Sequence, residues 1–383
     1  MGDVERRDGR RHLFLLEMTM AETGYIVAED VSRVLDELQD RLRPLFGTTL
    51  LITGASGFLC SYFVEIVATL NTRTSGQPCR VIAVDNFRSS PADRLSHLLE
   101  RQDIRLIQHD VSLPLKLNEK VDWIIHGASI ASPTFYRRYP LETIDVNVNG
   151  TRHLLEQARQ HSCRSMLYLS SSEIYGDPDV SSVPTPEEYR GNVSCTGPRA
   201  CYDESKRMAE TLCTTFHRLY KIPVKIVRPF NIYGPGQRLD DRRIVPDLMA
   251  AALKRHPLTL LSDGRASRSF CYITDAVRAM FYVLLSEANG EVFNVGNDEK
   301  EITIEELARA VRQVAGPPWL SIEFGYSTDT HYLTDNPQRR LPDLRKIRLC
   351  FGWKPEVPLL NGLQRTFQHY EAIEGELAQP NFS

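Results

Sequence analysis

The stretch Thr49-Leu-Leu-Ile-Thr-Gly54-Ala-Ser-Gly57-Phe58-Leu59-Cys60 decides the fold. Its apolar first half predicts a short buried strand, its two glycines predict a tight turn, and residues 61–70 predict a helix. A Gly-x-x-Gly turn between a strand and a helix lets the backbone approach a pyrophosphate, and the helix N-terminus favours the negative charge. A two-glycine turn is a weak signal on its own, so the prediction of a dinucleotide site also depends on the elements around it.

An alternation of strands and helices follows this stretch. Apolar runs predict five further strands, and helical spacing predicts helices at 149–161 and 203–220. Strands without polar alternation that are joined by helices form a parallel sheet covered on both faces. The sequence therefore predicts an α/β fold, a doubly wound parallel sheet of the Rossmann type. The further predicted strands are residues 80–84, 104–108, 123–126, 165–170 and 224–228.

Three regions are predicted along the chain. Residues 1–45 form an N-terminal extension, in which apolar residues between Val27 and Leu42 recur at helical spacing and predict an amphipathic helix. Residues 46–229, together with about 266–297, form the Rossmann domain. Residues 230–265 and 298–383 have shorter elements and form a smaller, mixed α/β lobe.

The composition limits the possible partners. The 383 residues carry a formal net charge of −3, so no overall field attracts nucleic acid or an anionic membrane. No run approaches the roughly 20 apolar residues of a membrane span. The eight cysteines form no Cys-x-x-Cys pair and no histidine cluster accompanies them, so we expect no metal site. Scattered thiols are typical of a cytoplasmic protein.

Acidic residues at strand ends strengthen the prediction of a dinucleotide site. Asp85 ends the second strand, where a carboxylate can bind ribose hydroxyls and would repel the 2′-phosphate of NADP. Asp110 and Val111 end the third strand, where they are well placed to contact the adenine. We therefore predict NAD as the cofactor. The predicted cofactor-binding residues are Gly54, Ser56, Gly57, Phe58, Leu59, Asp85, Asn86, Asp110, Val111, Ala128, Tyr202 and Lys206.

Cys60 occupies the third position of the dinucleotide fingerprint. This position normally holds a glycine, which allows close packing of the helix on the strand. We expect the thiol to move the helix slightly outward. Binding of NAD should survive, because the two glycines that face the phosphates are present.

Tyr202 and Lys206 lie four residues apart and share one face of the predicted helix. A tyrosine with a pKa near 10 acts as a base at neutral pH only if its pKa falls by about three. A lysine ammonium and a positively charged nicotinamide nearby favour the phenolate. Tyr-x-x-x-Lys is common by chance, but here it follows a dinucleotide turn and a serine-rich strand end at 170–172. These features together predict a catalytic pair.

With these motifs, residues 46–375 resemble the extended short-chain dehydrogenases/reductases that modify nucleotide sugars. The resemblance implies that the smaller lobe binds the nucleotide sugar, that Ser171 binds the sugar 4-hydroxyl beside Tyr202, and that Asn231 contacts the phosphates. It also implies a homodimer. The matching segments are Thr53–Phe58, Asp85, Asp110, Ser171–Gly176, Tyr202 with Lys206, and Arg228–Pro235.

Ser171-Ser172-Glu173 separates the reactions of this family. The 4,6-dehydratases of the family have Thr-Asp-Glu at this position, and the Asp is the general acid that expels the 6-hydroxyl. A serine hydroxyl is too weak an acid to replace it. A 4-epimerase needs no acidic residue near C5, so Glu173 would be surplus. Ser-Ser-Glu resembles the UDP-glucuronate decarboxylases, as does the run from Tyr189 to Lys206. The loop at 130–139 departs from that pattern, and its Tyr136 and Arg137 are candidates to contact a substrate carboxylate.

The resemblance implies oxidation at C4 of UDP-glucuronate and decarboxylation to UDP-4-keto-xylose, UDP-xylose or both. Arg268 and Arg340 match arginines that lie near the diphosphate and sugar, a task that suits the bidentate guanidinium. A 4,6-dehydratase, an epimerase and a non-catalytic NAD-sensing protein stay open as alternatives. The implied catalytic residues are Tyr202, Lys206, Ser171, Glu173 and Arg268, and the implied substrate-binding residues are Ser172, Asn231, Arg238, Arg268 and Arg340.

Overall fold

The computed structural model describes residues 25–90, 92–317 and 319–377, so residues 1–24 of the predicted extension lie outside it. The strands are β1 (Thr49–Thr53), β2 (Arg80–Asp85), β3 (Ile104–Gln108), β4 (Trp123–His126), β5 (Ser165–Leu169), β6 (Val224–Pro229), β7 (Ile232–Tyr233), β8 (Leu258–Leu260), β9 (Ser267–Arg268), β10 (Cys271–Tyr272), β11 (Val292–Val295), β12 (Ile302–Thr303), β13 (Ile322–Phe324) and β14 (Arg339–Arg340). The helices are α1 (25–38), α2 (Phe58–Arg73), α3 (Pro133–Arg138), α4 (Pro140–Asp145), α5 (Thr151–Gln160), α6 (Ala200–Tyr220), α7 (Ile244–Leu253), α8 (Ile273–Leu284), α9 (Ile304–Ala315), α10 (Arg345–Phe351) and α11 (Leu359–Leu377).

Seven parallel strands form the central sheet, in the order β11-β6-β5-β4-β1-β2-β3. Buried side chains of α2 and α8 cover one face, and those of α5 and α6 cover the other. The predicted doubly wound fold is therefore confirmed. All six predicted strands are present with bounds that agree to within a residue. The seventh strand, β11, at the edge of the sheet, is missing from the prediction.

The helix predicted at 149–161 starts earlier than expected. Helix α4, one π-helical turn at Val146–Gly150 and α5 follow one another without a break. The side chain of Asn147 in this turn donates to Ser205 Oγ of α6 (2.9 Å) and accepts from Ser129 Oγ (2.8 Å). The turn therefore ties α6 to the loop after β4, and such turns are frequent at functional sites.

The smaller elements gather around α7, α9 and α11, which pack against one another. Strand β9 lies between β12 and β14, and its pairing with β14 places Arg268 opposite Arg340. One hydrophobic cluster runs from the central sheet into these elements. Because this cluster is shared, it does not mark where one lobe ends and the other begins, and the predicted lobe boundaries stay a prediction.

Helix α1 packs against α8 and α11 through an apolar stripe that includes the buried Val31 and Leu35. Its Asp30 accepts a hydrogen bond from Tyr272 Oη (2.6 Å) and pairs with Arg365 (2.9 Å). The predicted helix reaches Leu42, whereas α1 ends at residue 38 because Gln39 adopts a left-handed φ of 37°. A 3₁₀ helix continues from Gln39 to Leu45.

Cys60 is accommodated by a glycine on the neighbouring strand end. A Cβ added at Gly127 would lie 2.3 Å from Cys60 Sγ and 3.0 Å from Leu169 Cδ1. Gly127 thus provides the space that the thiol of α2 needs, and Cys60 is only 3% exposed. Because the neighbouring residue has no side chain, close packing of α2 on the sheet is kept with a cysteine at this position.

We expect Gly127→Ala to destabilise the protein by about 1–3 kcal/mol, since the new methyl group overpacks the contact with Cys60. In a Cys60→Ala background, the same substitution should cost at least about 1 kcal/mol less, because the sulfur is gone. Free energies of unfolding from denaturant titrations measure both. Gly76→Ala is the matched control, because nothing lies within 4 Å of its added Cβ. An equal cost of Gly127→Ala in the two backgrounds would contradict this account of the packing.

Candidate active site

The dinucleotide turn lies where β1 ends and α2 begins. Gly54 has a φ of 70°, and a Cβ there would lie 2.8 Å from the backbone of Ala128, so this position requires glycine. Gly57 is the N-cap of α2 and has no side chain that could cap it. The N–H groups of the first turn are therefore suited to bind a ligand anion. Both glycines, with Phe58 and Leu59, line a cavity of about 430 Å³.

A second cavity of about 290 Å³ lies on the other side of the turn. Asp85 stands at its wall, where its carboxylate accepts backbone N–H bonds from Ser56 (3.0 Å) and Phe87 (2.9 Å). A carboxylate fixed at the end of β2 fits the ribose hydroxyls of a dinucleotide. The predicted cofactor residues that line this cavity are Gly54, Gly57, Asp85, Asn86, Asp110, Val111 and Ala128.

Ser56 departs from its predicted place. It is fully buried and lines neither cavity, and its hydroxyl donates to the carbonyl oxygen of Ser90 (3.2 Å). Its backbone N–H positions Asp85 instead. Gly54 and Gly57 line the cavities, and the serine between them lies beneath the turn.

The larger cavity is strongly electropositive. Its only acidic lining residues in the described part of the chain are Glu173 and Asp241. Such a surplus of guanidinium groups suits a ligand with several negative charges. The lining arginines are Arg94, Arg137, Arg199, Arg238, Arg242, Arg243, Arg268 and Arg340.

Tyr202 and Lys206 lie on the buried face of α6 and line this cavity together. The Nζ of Lys206 donates to the carbonyl oxygen of Leu169 (2.8 Å), which holds α6 against the carboxyl end of β5. It lies 5.8 Å from the centroid of the Tyr202 ring. The side chain of Ser171, just beyond β5, hydrogen-bonds the Tyr202 hydroxyl. The predicted pair and its serine are therefore adjacent.

The pKa of Tyr202 is not the one that the sequence predicts. Burial raises the pKa of Tyr202 to about 12, and the hydrogen bond to Ser171 opposes this only in part. Burial also lowers the pKa of Lys206 to about 7. Low dielectric surroundings disfavour both charges and outweigh the expected effect of the lysine. A further positive charge beside Tyr202 would be needed to favour the phenolate.

A second tyrosine covers Tyr202. The ring of Tyr136 on α3 stacks on it with centroids 5.0 Å apart and planes 11° apart. Tyr136 is 1% exposed, and burial raises its pKa well above the usual value. Arg137, which follows it, lines the same cavity but pairs with Asp329 at 2.5 Å. Of the two loop candidates, Tyr136 is thus the one beside the catalytic pair.

Glu173 is a partly buried carboxylate, with 24% of its side chain exposed, and it is surrounded by guanidinium groups. It pairs with Arg199 and lies 3.3 Å from Nη2 of Arg340. Burial by itself raises the pKa of Glu173, but Arg199, Arg340 and Arg268 outweigh it and hold that pKa below its usual range. Glu173 is therefore ionised at neutral pH and cannot donate a proton.

Arg268 keeps its positive charge available. Among the described residues its hydrogen bonds go to neutral acceptors, the carbonyl oxygens of Ser267 (2.7 Å), Pro337 (2.5 Å) and Gln338 (3.2 Å) and the amide of Asn336 (3.3 Å). Burial and neighbouring Arg340 lower its pKa to about 10, which leaves it protonated at neutral pH. These carbonyl contacts orient the guanidinium at the cavity wall, where it can bind an anion.

The remaining predicted substrate residues line the same cavity. Asn231 adopts a left-handed φ of 42° before β7, and its amide donates to Ser269 (3.0 Å). Arg238 donates to the carbonyl oxygen of Ser89 (2.7 Å) and to Asp240. The cavity therefore includes every predicted substrate residue, namely Ser172, Asn231, Arg238, Arg268 and Arg340.

Sequence reasoning gave no role to Arg199 and Asp203. Arg199 joins Glu173 to Asp203, with its Nε 3.7 Å from the Asp203 carboxylate, and both residues are buried. Burial and the charge of Glu173 raise the pKa of Asp203 to about 7. The available signal was their i, i+4 spacing at the start of the catalytic helix, which puts them on one face.

His126 is a core residue at the end of β4. Its ring nitrogens lie 2.7 Å from Thr53 Oγ1 and 3.1 Å from Thr151 Oγ1, and burial lowers its pKa to about 3. Within the described ranges, no group of three or more His, Cys, Asp or Glu residues could hold a metal ion. Nor does any helix there have the length and apolar character to cross a bilayer.

Comparisons with known proteins agree with this geometry. The chain is 39% identical over 316 residues to UDP-glucuronic acid decarboxylase 1 of Arabidopsis thaliana, covering 82% of this chain and 68% of that one. It is 37% identical over 321 residues to UDP-glucuronic acid decarboxylase 1 of Xenopus tropicalis, covering 84% and 72%. A dTDP-glucose 4,6-dehydratase from Streptomyces venezuelae, solved with NAD, superposes with a TM-score of 0.75 and 26% identity over 86% of this chain and 98% of that one.

The model of the NAD dependent epimerase/dehydratase family matches residues 50–296. This range contains the dinucleotide turn, the Tyr202/Lys206 pair and Arg268, and its Rossmann sheet is the one described above. The residues present fit NAD, the cofactor that the family implies. The uncapped start of α2 borders both cavities, and the fixed Asp85 carboxylate lines the smaller one. The chain is therefore a member of the NAD dependent epimerase/dehydratase family.

Proposed function

We propose that this protein is an NAD-dependent decarboxylase that oxidises UDP-glucuronate at C4 and releases its C5 carboxyl group as carbon dioxide. The observation that carries the proposal is the ionised Glu173 held among Arg199, Arg340 and Arg268 on the cavity wall. The product is UDP-4-keto-xylose, UDP-xylose or both. The sequence relatives named above are decarboxylases of this substrate, which supports the same reaction here.

The oxidation at C4 is assigned to Tyr202, Lys206 and Ser171. Tyr202 accepts the proton of the 4-hydroxyl, Ser171 orients that hydroxyl, and Lys206 favours the phenolate while it holds α6 against β5. Bound NAD, held by the dinucleotide turn and Asp85, supplies the hydride acceptor and a positive ring. Because burial raises the pKa of Tyr202, its deprotonation depends on such added positive charge.

Decarboxylation follows from the ketone at C4. The C5 carboxylate is then a β-keto acid, so the electrons of the breaking C5–carboxyl bond move into an enolate that includes the C4 oxygen. The chain must orient the carboxylate, and Arg268 provides a guanidinium whose hydrogen-bonded partners are neutral. Ser172 and Arg340 line the adjoining wall. Asn231 and Arg238 are assigned to the diphosphate.

Loss of the 6-hydroxyl, the dehydratase reaction, is less well supported. It needs a general acid beside C6. Ser172 is a poor acid, and the arginines keep Glu173 ionised. The dehydratase stays the second candidate because a dTDP-glucose 4,6-dehydratase shares the fold and 26% of its residues. An epimerase would have no use for Glu173, and a non-catalytic NAD sensor would have no use for the Tyr202/Lys206 pair.

We also propose that the protein is a homodimer of the cytoplasm. Helices α4 and α6 pack side by side and expose apolar residues, including Leu141 (72% exposed) and Met208 (50% exposed). A second copy would cover this surface. All eight cysteines are unpaired, which supports a reducing compartment.

Incubation of the purified protein with UDP-glucuronate and catalytic NAD should release carbon dioxide and form a UDP-pentose or UDP-4-keto-pentose. The electropositive cavity and Arg268 are arranged for a substrate with both a diphosphate and a carboxylate. Mass spectrometry and NMR identify the products. Parallel reactions with UDP-glucose and dTDP-glucose are the controls. Loss of water from either of these, with no carbon dioxide from UDP-glucuronate, would establish the dehydratase instead.

Tyr202→Phe should reduce turnover on the order of 10²- to 10⁴-fold, because the base at C4 is removed. Binding of NAD, measured by isothermal titration calorimetry, should change little, since the turn and Asp85 are untouched. Tyr220→Phe on the exposed end of the same helix is the matched control and should keep full activity. Turnover by Tyr202→Phe at the wild-type rate would remove this residue from the mechanism.

A further inference from the structure

Three buried polar atoms without hydrogen-bond partners belong to residues that interact with one another beside Tyr202. Within the described ranges of the chain, Tyr136 Oη, Arg199 Nε and Asp203 Oδ1 are buried and have no hydrogen-bond partner. Tyr136 stacks on Tyr202, Arg199 lies 3.7 Å from the other oxygen of Asp203, and the charges of Arg199 and Asp203 both act on Tyr136. Buried polar atoms without partners are rare, and a cluster of three calls for a ligand.

The donors and the acceptor of this cluster match the needs of a buried water molecule. The site offers two N–H or O–H donors and a carboxyl oxygen, which is the number of partners that buried waters usually have. Tyr136 and Arg199 also line the large cavity, so the water would lie between Asp203 and the substrate pocket. Asp203 itself is 4% exposed and does not line the cavity, so it can act on a substrate only through another group.

Asp203 is set up to hold a proton. The ionisable groups that face it are Glu173 after β5, Arg199, Cys201 and Tyr202 on its own segment, Tyr136 on α3, Arg340 on β14 and Asp335 before that strand. Arg199 is shared with Glu173, which takes the shorter ion pair. Glu173 takes the closer guanidinium contacts, so a proton retained by the two neighbouring carboxylates resides on Asp203, which is more deeply buried and has the longer ion pair (3.7 Å).

The proposed reaction requires such a proton. Loss of carbon dioxide leaves an electron pair in the C4–C5 enolate, and the product forms only when C5 gains a proton. The proton of the 4-hydroxyl is already assigned to Tyr202, and Glu173 is ionised. Each turnover therefore consumes one proton that neither residue supplies.

Building on the proposed function, we infer that Asp203 stores the proton that C5 receives, and that a water held by Tyr136, Arg199 and Asp203 carries it. The C5–carboxyl bond breaks and its electron pair enters the enolate. The enolate then takes a proton from the water at C5, and the water takes the proton of Asp203. Solvent reprotonates the Asp203 carboxylate, so one proton is consumed and no oxidant or reductant is needed.

The test is Asp203→Asn, which keeps the shape of the side chain but cannot release its proton. Stopped-flow absorbance at 340 nm should show oxidation of UDP-glucuronate within about twofold of the wild-type rate, since Tyr202 and Lys206 are unchanged. Formation of the decarboxylated product should slow on the order of 100-fold. Glu204→Gln, the same change one residue along α6, is the matched control and should keep both rates. Equal rates of product formation in wild type and Asp203→Asn would overturn the inference, as would an equal loss in both steps.

The pH profile separates proton storage from a packing role. In the wild type, product formation should fall as the pH rises through about 7, because Asp203 loses its proton there. Because the pKa of Lys206 also lies at about 7, the profile is measured on the step from bound NADH to product, to which Lys206 is not assigned; in Asp203→Asn the alkaline decline of this step should be absent. A decline that persists unchanged in the variant would overturn the inference even if its overall rate is low.

Tyr136→Phe is a second test that leaves the ring stack in place, so it remains informative if Asp203→Asn does not fold. It removes only the unpaired hydroxyl that would hold the water, and product formation should slow about 10-fold while oxidation is kept. No change in either step would overturn the water site. If wild-type protein forms no product from UDP-glucuronate, the proposed function itself fails. If wild type turns over and both variants match it, only this inference fails.

Discussion

The site depends on the burial of one charged helix face against the end of β5. Lys206 donates to the carbonyl oxygen of Leu169, and one turn later Glu210 accepts from Ser170 and from two nitrogens of Arg228 at 2.9 and 2.6 Å. A buried charge that loses its partner costs about 3–5 kcal/mol, so α6 has one favourable position along β5. That position places Tyr202 beside Ser171. Tyr202 and Lys206 are therefore positioned by the same contacts that keep the helix on the sheet.

The large cavity carries more positive charge than its own carboxylates balance. Glu173 is held by several guanidinium groups, while Arg268 is satisfied only by neutral acceptors among the described residues. Such an arrangement repels itself in the free protein and is relieved when an anion binds. The same arginines hold the pKa of Glu173 below its usual range, whereas burial and the charge of Glu173 raise the pKa of Asp203 to about 7 against the opposing effect of Arg199 and Arg340.

The dinucleotide site tolerates a change in its fingerprint because the neighbouring strand end also lacks a side chain. The motif alone predicts that Cys60 moves α2 outward, because it does not contain the packing partner of the thiol. Gly127 lies far from Cys60 in the chain and next to it in the fold. The two positions together keep α2 close to the sheet, so the helix N-terminus can approach a pyrophosphate.

The sequence by itself determined the doubly wound sheet, six of its seven strands and the positions of Tyr202, Lys206, Asp85 and the dinucleotide turn. These features are local, because short periodic patterns of residues predict strands, helices and i, i+4 pairs. Only the tertiary structure decided how Arg268 and Arg340 meet through the β9–β14 pairing and how Arg199 joins Glu173 to Asp203. It also decided the pKa of Tyr202, since burial depends on every element packed around the ring. Charge balance and burial are sums over distant residues, and no local pattern contains them.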